Sequence, residues 1–259
     1  MYSSPDDQRS VSSIVADLAE QFEREALAFH AHKAETGLVT TQALDADPGI
    51  ILSECIYDIT LLKKPLSSLK AVFVIGALPI LKDIHHELSN MDESRRITAY
   101  RYMGRAMGSS SWASALSGVD PDYKSLIMAS YDAHLYMQAI NWSLGDQPRA
   151  PKILMRQKPT YNEHEGGYHV DRYKSTITTA FHHQGTEVIL KKNMTMEEYK
   201  ALSGQPQAAG YQTMTAQPGD ICGMLAEDIN GAKRRPANEL PVHHSFDCLE
   251  RFVGAYAQL

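Results

Sequence analysis

The feature that most restricts the fold of this 259-residue chain is a change of hydrophobic periodicity near Pro148–Pro151. Before this point, apolar residues recur at steps of three and four, which is the spacing of one face of an α-helix. After it, short apolar runs alternate with pieces rich in Gly, Pro and Asn, a pattern typical of β-strands joined by turns. The sequence therefore predicts an α+β protein whose helices pack on a β core.

Three helices are predicted in the first part of the chain. An amphipathic helix covers residues 11 to about 33, and a second covers residues 67–88. The run Val72–Ile75 inside the second helix is equally compatible with a strand. A third helix begins at Asp120-Pro121, where an N-cap acid precedes a first-turn proline, and ends at Gly145.

Eight short strands are predicted in the second part. They cover residues 152–158, 168–173, 175–183, 187–191, 213–216, 221–225, 242–245 and 251–256. So many short strands in so short a stretch indicate a jelly roll or a barrel. We therefore expect a mainly helical region at residues 1–150 and a jelly-roll core at residues 151–259, integrated into one domain.

Composition restricts the partners and the compartment. The chain carries 31 acidic and 25 basic residues, a formal net charge of −6, which argues against binding to nucleic acid or to an anionic membrane. Its three cysteines are far apart and do not form a disulfide framework, which favours a reducing compartment. The N-terminus does not resemble a signal peptide, and no apolar run is long enough to span a bilayer. We expect a soluble cytoplasmic protein.

The residues most suggestive of chemistry are His169 and Asp171, which are two apart in a predicted strand. Side chains at positions i and i+2 of a strand project to the same side, so this imidazole and carboxylate point into one cavity. Two histidines and one carboxylate bind one face of an octahedral iron and leave other positions open. The third ligand has its candidates in His243-His244, of which only one can serve, because neighbouring strand residues face opposite ways.

The order of these residues resembles that of a known family. His169-Val170-Asp171, then His243 and Arg251, follow the HxD…H…R order of the Fe(II)/2-oxoglutarate-dependent oxygenases, whose core is a double-stranded β-helix. Pro218-Gly219-Asp220 matches a turn that precedes a core strand in that family, and Gly185-Thr186-Glu187 resembles its Gly-Gly-Glu segment. The resemblance extends from about residue 153 to residue 256.

The resemblance implies a site and a reaction. Fe(II) would be held by His169, Asp171 and His243, the last preferred over His244 because it begins the family's His-x-Ser pattern. Arg251 would anchor the far carboxylate of 2-oxoglutarate through a bidentate fork. Arg251 follows His243 more closely than is usual in the family, so the alternative anchors are Arg156 and Lys174.

The reaction implied is hydroxylation of a small molecule, such as an amino acid or a biosynthetic intermediate, while 2-oxoglutarate and O2 become succinate and CO2. A carboxylate at Asp171 favours hydroxylation over halide transfer, although desaturation and ring closure use the same ligands. Arg156, on the strand before the site, and His183, on the strand after it, are candidates for contact with the substrate.

Two other classes of protein stay open. A cupin-type metal enzyme would share the barrel, but its His-x-His motif is followed three or four residues later by Glu, and residues 174–176 contain no acid. This difference favours the oxygenase. A non-catalytic β-barrel binding protein would carry His169 and Asp171 as an ordinary strand pair.

Overall fold

The computed structural model describes residues 2–63, 69–144, 152–155, 167–170, 175–182, 185–205, 208, 210–225, 240–245 and 252–256. Its α-helices are α1 (Val11–Thr36), α2 (Pro79–Ser89), α3 (Glu93–Met107), α4 (Trp112–Leu116), α5 (Lys124–Leu144) and α6 (Met196–Leu202), with 3-10 helices at Ile56–Lys63 and Pro121–Tyr123. Its strands are β1 (Thr41–Leu44), β2 (Asp47–Ser53), β3 (Ala71–Val74), β4 (Lys152–Met155), β5 (Ser175–Thr179), β6 (Thr186–Ile189), β7 (Thr213–Thr215), β8 (Ile221–Leu225), β9 (His243–Ser245) and β10 (Phe252–Tyr256). The fold is therefore α+β, as the sequence predicts.

The larger sheet draws its strands from both parts of the chain. Its order is β1-β2-β3-β8-β5, in which β3 pairs parallel with β2 and antiparallel with β8. Strands of the first 74 residues are thus hydrogen-bonded to strands that begin after residue 174. The β sheet is shared between the two predicted regions.

Two apolar cores lie on the two faces of this sheet. The residues that share a core with the helices are Val72, Val74, Ile177, Ile221 and Leu225. The residues that form a second core, together with Val188 and Leu190, are Ile50, Ala71, Phe73, Cys222 and Met224. Because Val188 belongs to the smaller sheet β7-β6-β9, the two sheets face each other across this second core. The order of layers is helices, larger sheet and smaller sheet.

The helical layer is built around α1 and α5. Ser10 caps α1 by accepting a hydrogen bond from the Ser13 backbone, and the buried face of α1 packs along α5. Helix α5 is buried on most of its surface and carries Asp132, whose carboxylate accepts hydrogen bonds from the backbone N–H groups of Tyr2 (2.6 Å) and Ser3 (2.7 Å). The N-terminal residues are therefore fixed to the middle of α5.

One helix prediction was wrong. Residues 67–88 do not form one helix: the described part forms strand β3 up to Val74 and helix α2 from Pro79. The run of β-branched and aromatic residues prefers the pleated surface, where it pairs with β2 and β8. Pro79 then begins α2, since proline is well tolerated in the first turn of a helix.

Seven of the eight predicted strands are confirmed in their described residues. The predicted strand at residues 168–173 contains isolated bridges at Tyr168 and His169, and residues 171–173 lie outside the described residues. Strands β1 and β2 were not predicted, and β3 corresponds to the strand alternative for the run Val72–Ile75. Within the described residues, no sheet closes into a barrel, and β4 and β10 form a separate two-stranded sheet. In that same part of the chain, no helix is long and apolar enough to cross a membrane.

Candidate metal site

The structure brings two of the predicted ligands, His169 and His243, directly opposite each other. The backbone N–H of each residue donates to the carbonyl of the other at 2.9 Å, which makes them a hydrogen-bonded antiparallel pair. Opposed residues of an antiparallel pair project to the same face, so both imidazoles lie on one side of the sheet. The residue opposite His169 is His243, and His244 is one position further along β9.

Both imidazoles make the same local hydrogen bond. Nδ1 of His169 donates to the carbonyl of Gly167 at 2.8 Å, and Nδ1 of His243 donates to the carbonyl of Pro241 at 3.0 Å. A carbonyl oxygen only accepts, so Nδ1 carries the proton in each ring. In the neutral ring, Nε2 then carries the lone pair, which is the arrangement found in metal-binding histidines.

The spacing of the two rings fits two ligands of one metal ion. When two imidazoles bind an octahedral ion at right angles, with metal–nitrogen distances of about 2.1 Å, their centroids lie roughly 4.5 Å apart. The centroids of His169 and His243 are 4.5 Å apart, and the ring planes differ by 54°. This ring spacing is compatible with two imidazole ligands of one divalent transition metal ion.

The surroundings of the pair are apolar on one side. His243 is opposite Val188 of β6, so both side chains face the second core between the sheets. His243 is buried, with 3% of its surface exposed, whereas His169 is only half-buried. A ligand would therefore approach from the side of His169.

Backbone packing holds the segment 167–170 in place on its outer side. Tyr168 N donates to Gln205 O (3.0 Å), and Gly204 N donates to Tyr168 O (2.9 Å). A Cβ atom added to Gly167 would lie 2.1 Å from the carbonyl carbon of Gly204, so no side chain fits at position 167. The segment is confined between strand β9 and the loop that follows α6.

The opposite face of the same strands carries a hydrogen-bond network centred on Glu187. The Tyr168 hydroxyl donates to Oε1 of Glu187, and the hydroxyls of Thr213 and Thr215 donate to Oε2 at 3.1 Å each. Burial, and then the hydrogen bond to Glu187, raises the pKa of the Tyr168 phenol. Glu187 therefore links β6 to β7 and to the segment of His169.

Several predicted site residues lie outside the described residues. These are Asp171, Arg156, Lys174, His183 and Arg251. The backbone of His244 is described as part of β9, and its side chain is not. Among the described residues, no three His, Cys, Asp or Glu side chains gather as a metal-binding group. The roles of all these residues remain predictions.

His182, which follows β5, is buried and hydrogen-bonded to two helices; one of His182 and His183 was expected to face inward. Ser89 Oγ donates to the His85 carbonyl (2.7 Å), so it accepts the hydrogen bond from Nε2 of His182 (3.2 Å). In the neutral ring, Nδ1 of His182 then accepts from the Tyr100 hydroxyl at 2.8 Å. His182 thereby connects the end of β5 to helices α2 and α3, and the tandem His182-His183 was the signal for it in the sequence.

The turn Pro218-Gly219-Asp220 is formed as its sequence suggests. Gly219 has φ +90, and Asp220 accepts hydrogen bonds from the backbone N–H groups of Gln217 (2.9 Å) and Gly76 (2.8 Å). The turn therefore both reverses the chain before β8 and fixes the loop after β3.

No protein-family model, curated protein sequence or solved structure matches the chain.

Proposed function

We propose that this protein is a non-haem Fe(II)/2-oxoglutarate-dependent oxygenase that hydroxylates a small molecule. The observation that carries the proposal is the opposition of His169 and His243, each with Nδ1–H donated to a carbonyl, as in metal-binding histidines. The two histidines are 74 positions apart in the sequence. Both are predicted ligands from the order of residues alone, without the register of the strands. The opposition of these two predicted ligands in the fold supports the proposal that they bind one metal ion.

The fold is compatible with the proposed core. Two sheets that face each other across an apolar interior are the arrangement of a jelly roll, and we propose that residues 151–259 contain such a core. In such a core, the metal lies between the sheets, which is the side that His243 shares with Val188. This supports the placement of the site inside the fold.

Each residue of the proposed site has a defined task. His169 and His243 hold the metal through Nε2, and Asp171 completes the set with a carboxylate. Arg251 binds the far carboxylate of 2-oxoglutarate. A bound iron would supply the oxidising chemistry: one oxygen atom of O2 would enter succinate as 2-oxoglutarate loses CO2, and the other would enter the hydroxylated substrate. The apolar core beside His243 keeps water from one side of the reacting groups.

The first experiment measures bound iron in the purified, anaerobically loaded chain. We expect His169→Ala and His243→Ala to lose the metal, because each removes one of three ligands. His244→Ala is the matched control, since this residue is next to His243 but not opposite His169. Loss of iron in the His244 variant alone would contradict the assignment of His243.

The second experiment measures succinate formed from 2-oxoglutarate. We expect Asp171→Ala to abolish both substrate-linked and uncoupled succinate formation, because the metal loses its only proposed carboxylate ligand. Turnover close to that of the parent protein in the Asp171 variant would refute the proposed mechanism. Metal retention without any response to 2-oxoglutarate would indicate a cupin-type enzyme instead.

A further inference from the structure

Tyr168 precedes His169, and its side chain extends over the opposite face of the sheet. Its hydroxyl donates to Glu187, which lies on β6. Strand β9 lies between the segment 167–170 and β6, since β9 pairs with both. This hydrogen bond therefore crosses over β9 at the position of His244, the residue next to His243.

Glu187 extends the link to a third strand. Its second oxygen accepts hydrogen bonds from Thr213 and Thr215, which are both on β7. Thr215 is the residue opposite Glu187 in the pairing of β6 with β7. One carboxylate thus connects β7, β6 and the segment of His169, on the face away from the two imidazoles.

The link to Glu187 adds to main-chain hydrogen bonds that join the segment of His169 to its neighbours on either side. Two main-chain bonds join it to His243, and two join Tyr168 to the loop at Gly204 and Gln205. In the described part of that loop, the bridge between Tyr168 and Ser203 is the strand-type pairing present. The hydrogen bond from the Tyr168 hydroxyl to Glu187 connects this segment to β6.

We infer that Tyr168 and Glu187 are positioning residues, which set the place of the metal ligand His169 through a hydrogen bond across the back of the sheet. The inference rests on the proposed function, because it treats His169 as a ligand. Metal sites tolerate ligand displacements of only about 0.2 Å, so a small shift of the segment weakens binding. Groups that orient a ligand typically contribute about 10- to 100-fold to metal affinity.

The test is a titration of the purified full chain with Co(II), followed by the visible absorption of the bound ion. We expect Tyr168→Phe to weaken Co(II) binding about ten-fold, because only the hydroxyl is removed. We expect Glu187→Ala to weaken it about 10- to 100-fold, and Glu187→Gln to restore binding to within about three-fold of the parent protein. The glutamine keeps an oxygen that accepts from the Tyr168 hydroxyl.

The double variant distinguishes a shared bond from two separate effects. If Tyr168 and Glu187 act through one hydrogen bond, Tyr168→Phe combined with Glu187→Ala binds Co(II) as Glu187→Ala alone does. Losses that multiply would overturn the inference. A Glu187→Gln variant as weak as Glu187→Ala would also overturn it, because charge rather than hydrogen bonding would then be responsible.

Two controls separate positioning from general damage. Tyr211→Phe removes a hydroxyl from the ring that Lys191 covers, and it leaves the Glu187 network intact. It should bind Co(II) like the parent protein. Circular dichroism and thermal unfolding of each variant should report a folded chain. Binding by Glu187→Gln within about three-fold of the parent protein tests the inference even if Glu187→Ala unfolds.

Failure of the inference and failure of the proposed function give different results. If the parent protein and His169→Ala bind Co(II) equally, or neither binds it, His169 is not a ligand and the proposed function fails. If His169→Ala abolishes binding while Tyr168→Phe binds as tightly as the parent, the metal site stands and only the positioning role is refuted.

Discussion

The substitution Gly167→Ala provides a direct steric test of the site. The added Cβ would lie 2.1 Å from the carbonyl carbon, 2.3 Å from the oxygen and 2.4 Å from the Cα of Gly204. Carbon atoms in contact prefer separations of about 3.5–4.0 Å, so the segment 167–170 must move by roughly 1 Å or more. The atoms it meets are backbone, which does not rotate away as a side chain does.

The expected effects follow from this movement. Overpacking of this kind typically costs about 1–3 kcal/mol of unfolding free energy. Because a metal site tolerates only about 0.2 Å, a movement of roughly 1 Å displaces His169 from the metal. Gly167 also provides the carbonyl that fixes the His169 tautomer. We therefore expect Gly167→Ala to remain folded but to lose most of its affinity for divalent metal.

The assay combines urea unfolding with Co(II) titration, and Gly108→Ala is its control. A Cβ at Gly108 would meet its nearest atom, the Arg105 carbonyl oxygen, at 3.7 Å, an ordinary contact. This control should lose little stability and bind metal normally. If Gly167→Ala binds Co(II) as well as Gly108→Ala does, the confinement of the His169 segment by Gly204 is refuted.

Three further predictions concern other parts of the molecule. Asp132→Ala removes the acceptor for the Tyr2 and Ser3 N–H groups, so it should cost about 1–3 kcal/mol and speed proteolysis of the N-terminal segment; unchanged cleavage would contradict this. Burial lowers the pKa of His134 from 6.5 to about 3. The free energy of unfolding should therefore have its full value above pH 6.5 and fall by up to about 1.4 kcal/mol per pH unit below it. His134→Gln should flatten the dependence of the urea midpoint on pH. An unchanged slope would argue against His134 as its cause. Arg251→Ala should raise the 2-oxoglutarate concentration needed for turnover at least about ten-fold with unchanged Co(II) binding, and an equal requirement would assign the anchor elsewhere.

The parts of the fold that were predictable are those with strong local signals. Helix α1 has regular apolar spacing and a serine cap, and the strands after residue 151 are separated by turn residues. The capping box of Thr195 and Glu198 marks α6 in the sequence and was overlooked. The short strands β1 and β2 have a turn at residues 45–46 without glycine, so the usual hairpin signal is absent.

The candidate site required information that local patterns do not contain. The alternation of side chains in a strand relates His169 to Asp171, but it says nothing of which distant strand lies beside them. The pairing of His169 with His243 depends on the register of two strands far apart in the chain. The network of Tyr168 and Glu187 likewise follows from the order of the strands in the smaller sheet, which no local pattern encodes.

The most direct test of the central claim is anaerobic addition of Fe(II) and 2-oxoglutarate to the purified protein, with the visible spectrum recorded. Chelation of the metal by the keto acid produces a weak charge-transfer band. The proposed site predicts this band only when both are present, its loss in His243→Ala and Asp171→Ala, and its retention in His244→Ala. Absence of the band in the parent protein, or its persistence in His243→Ala, would contradict the account.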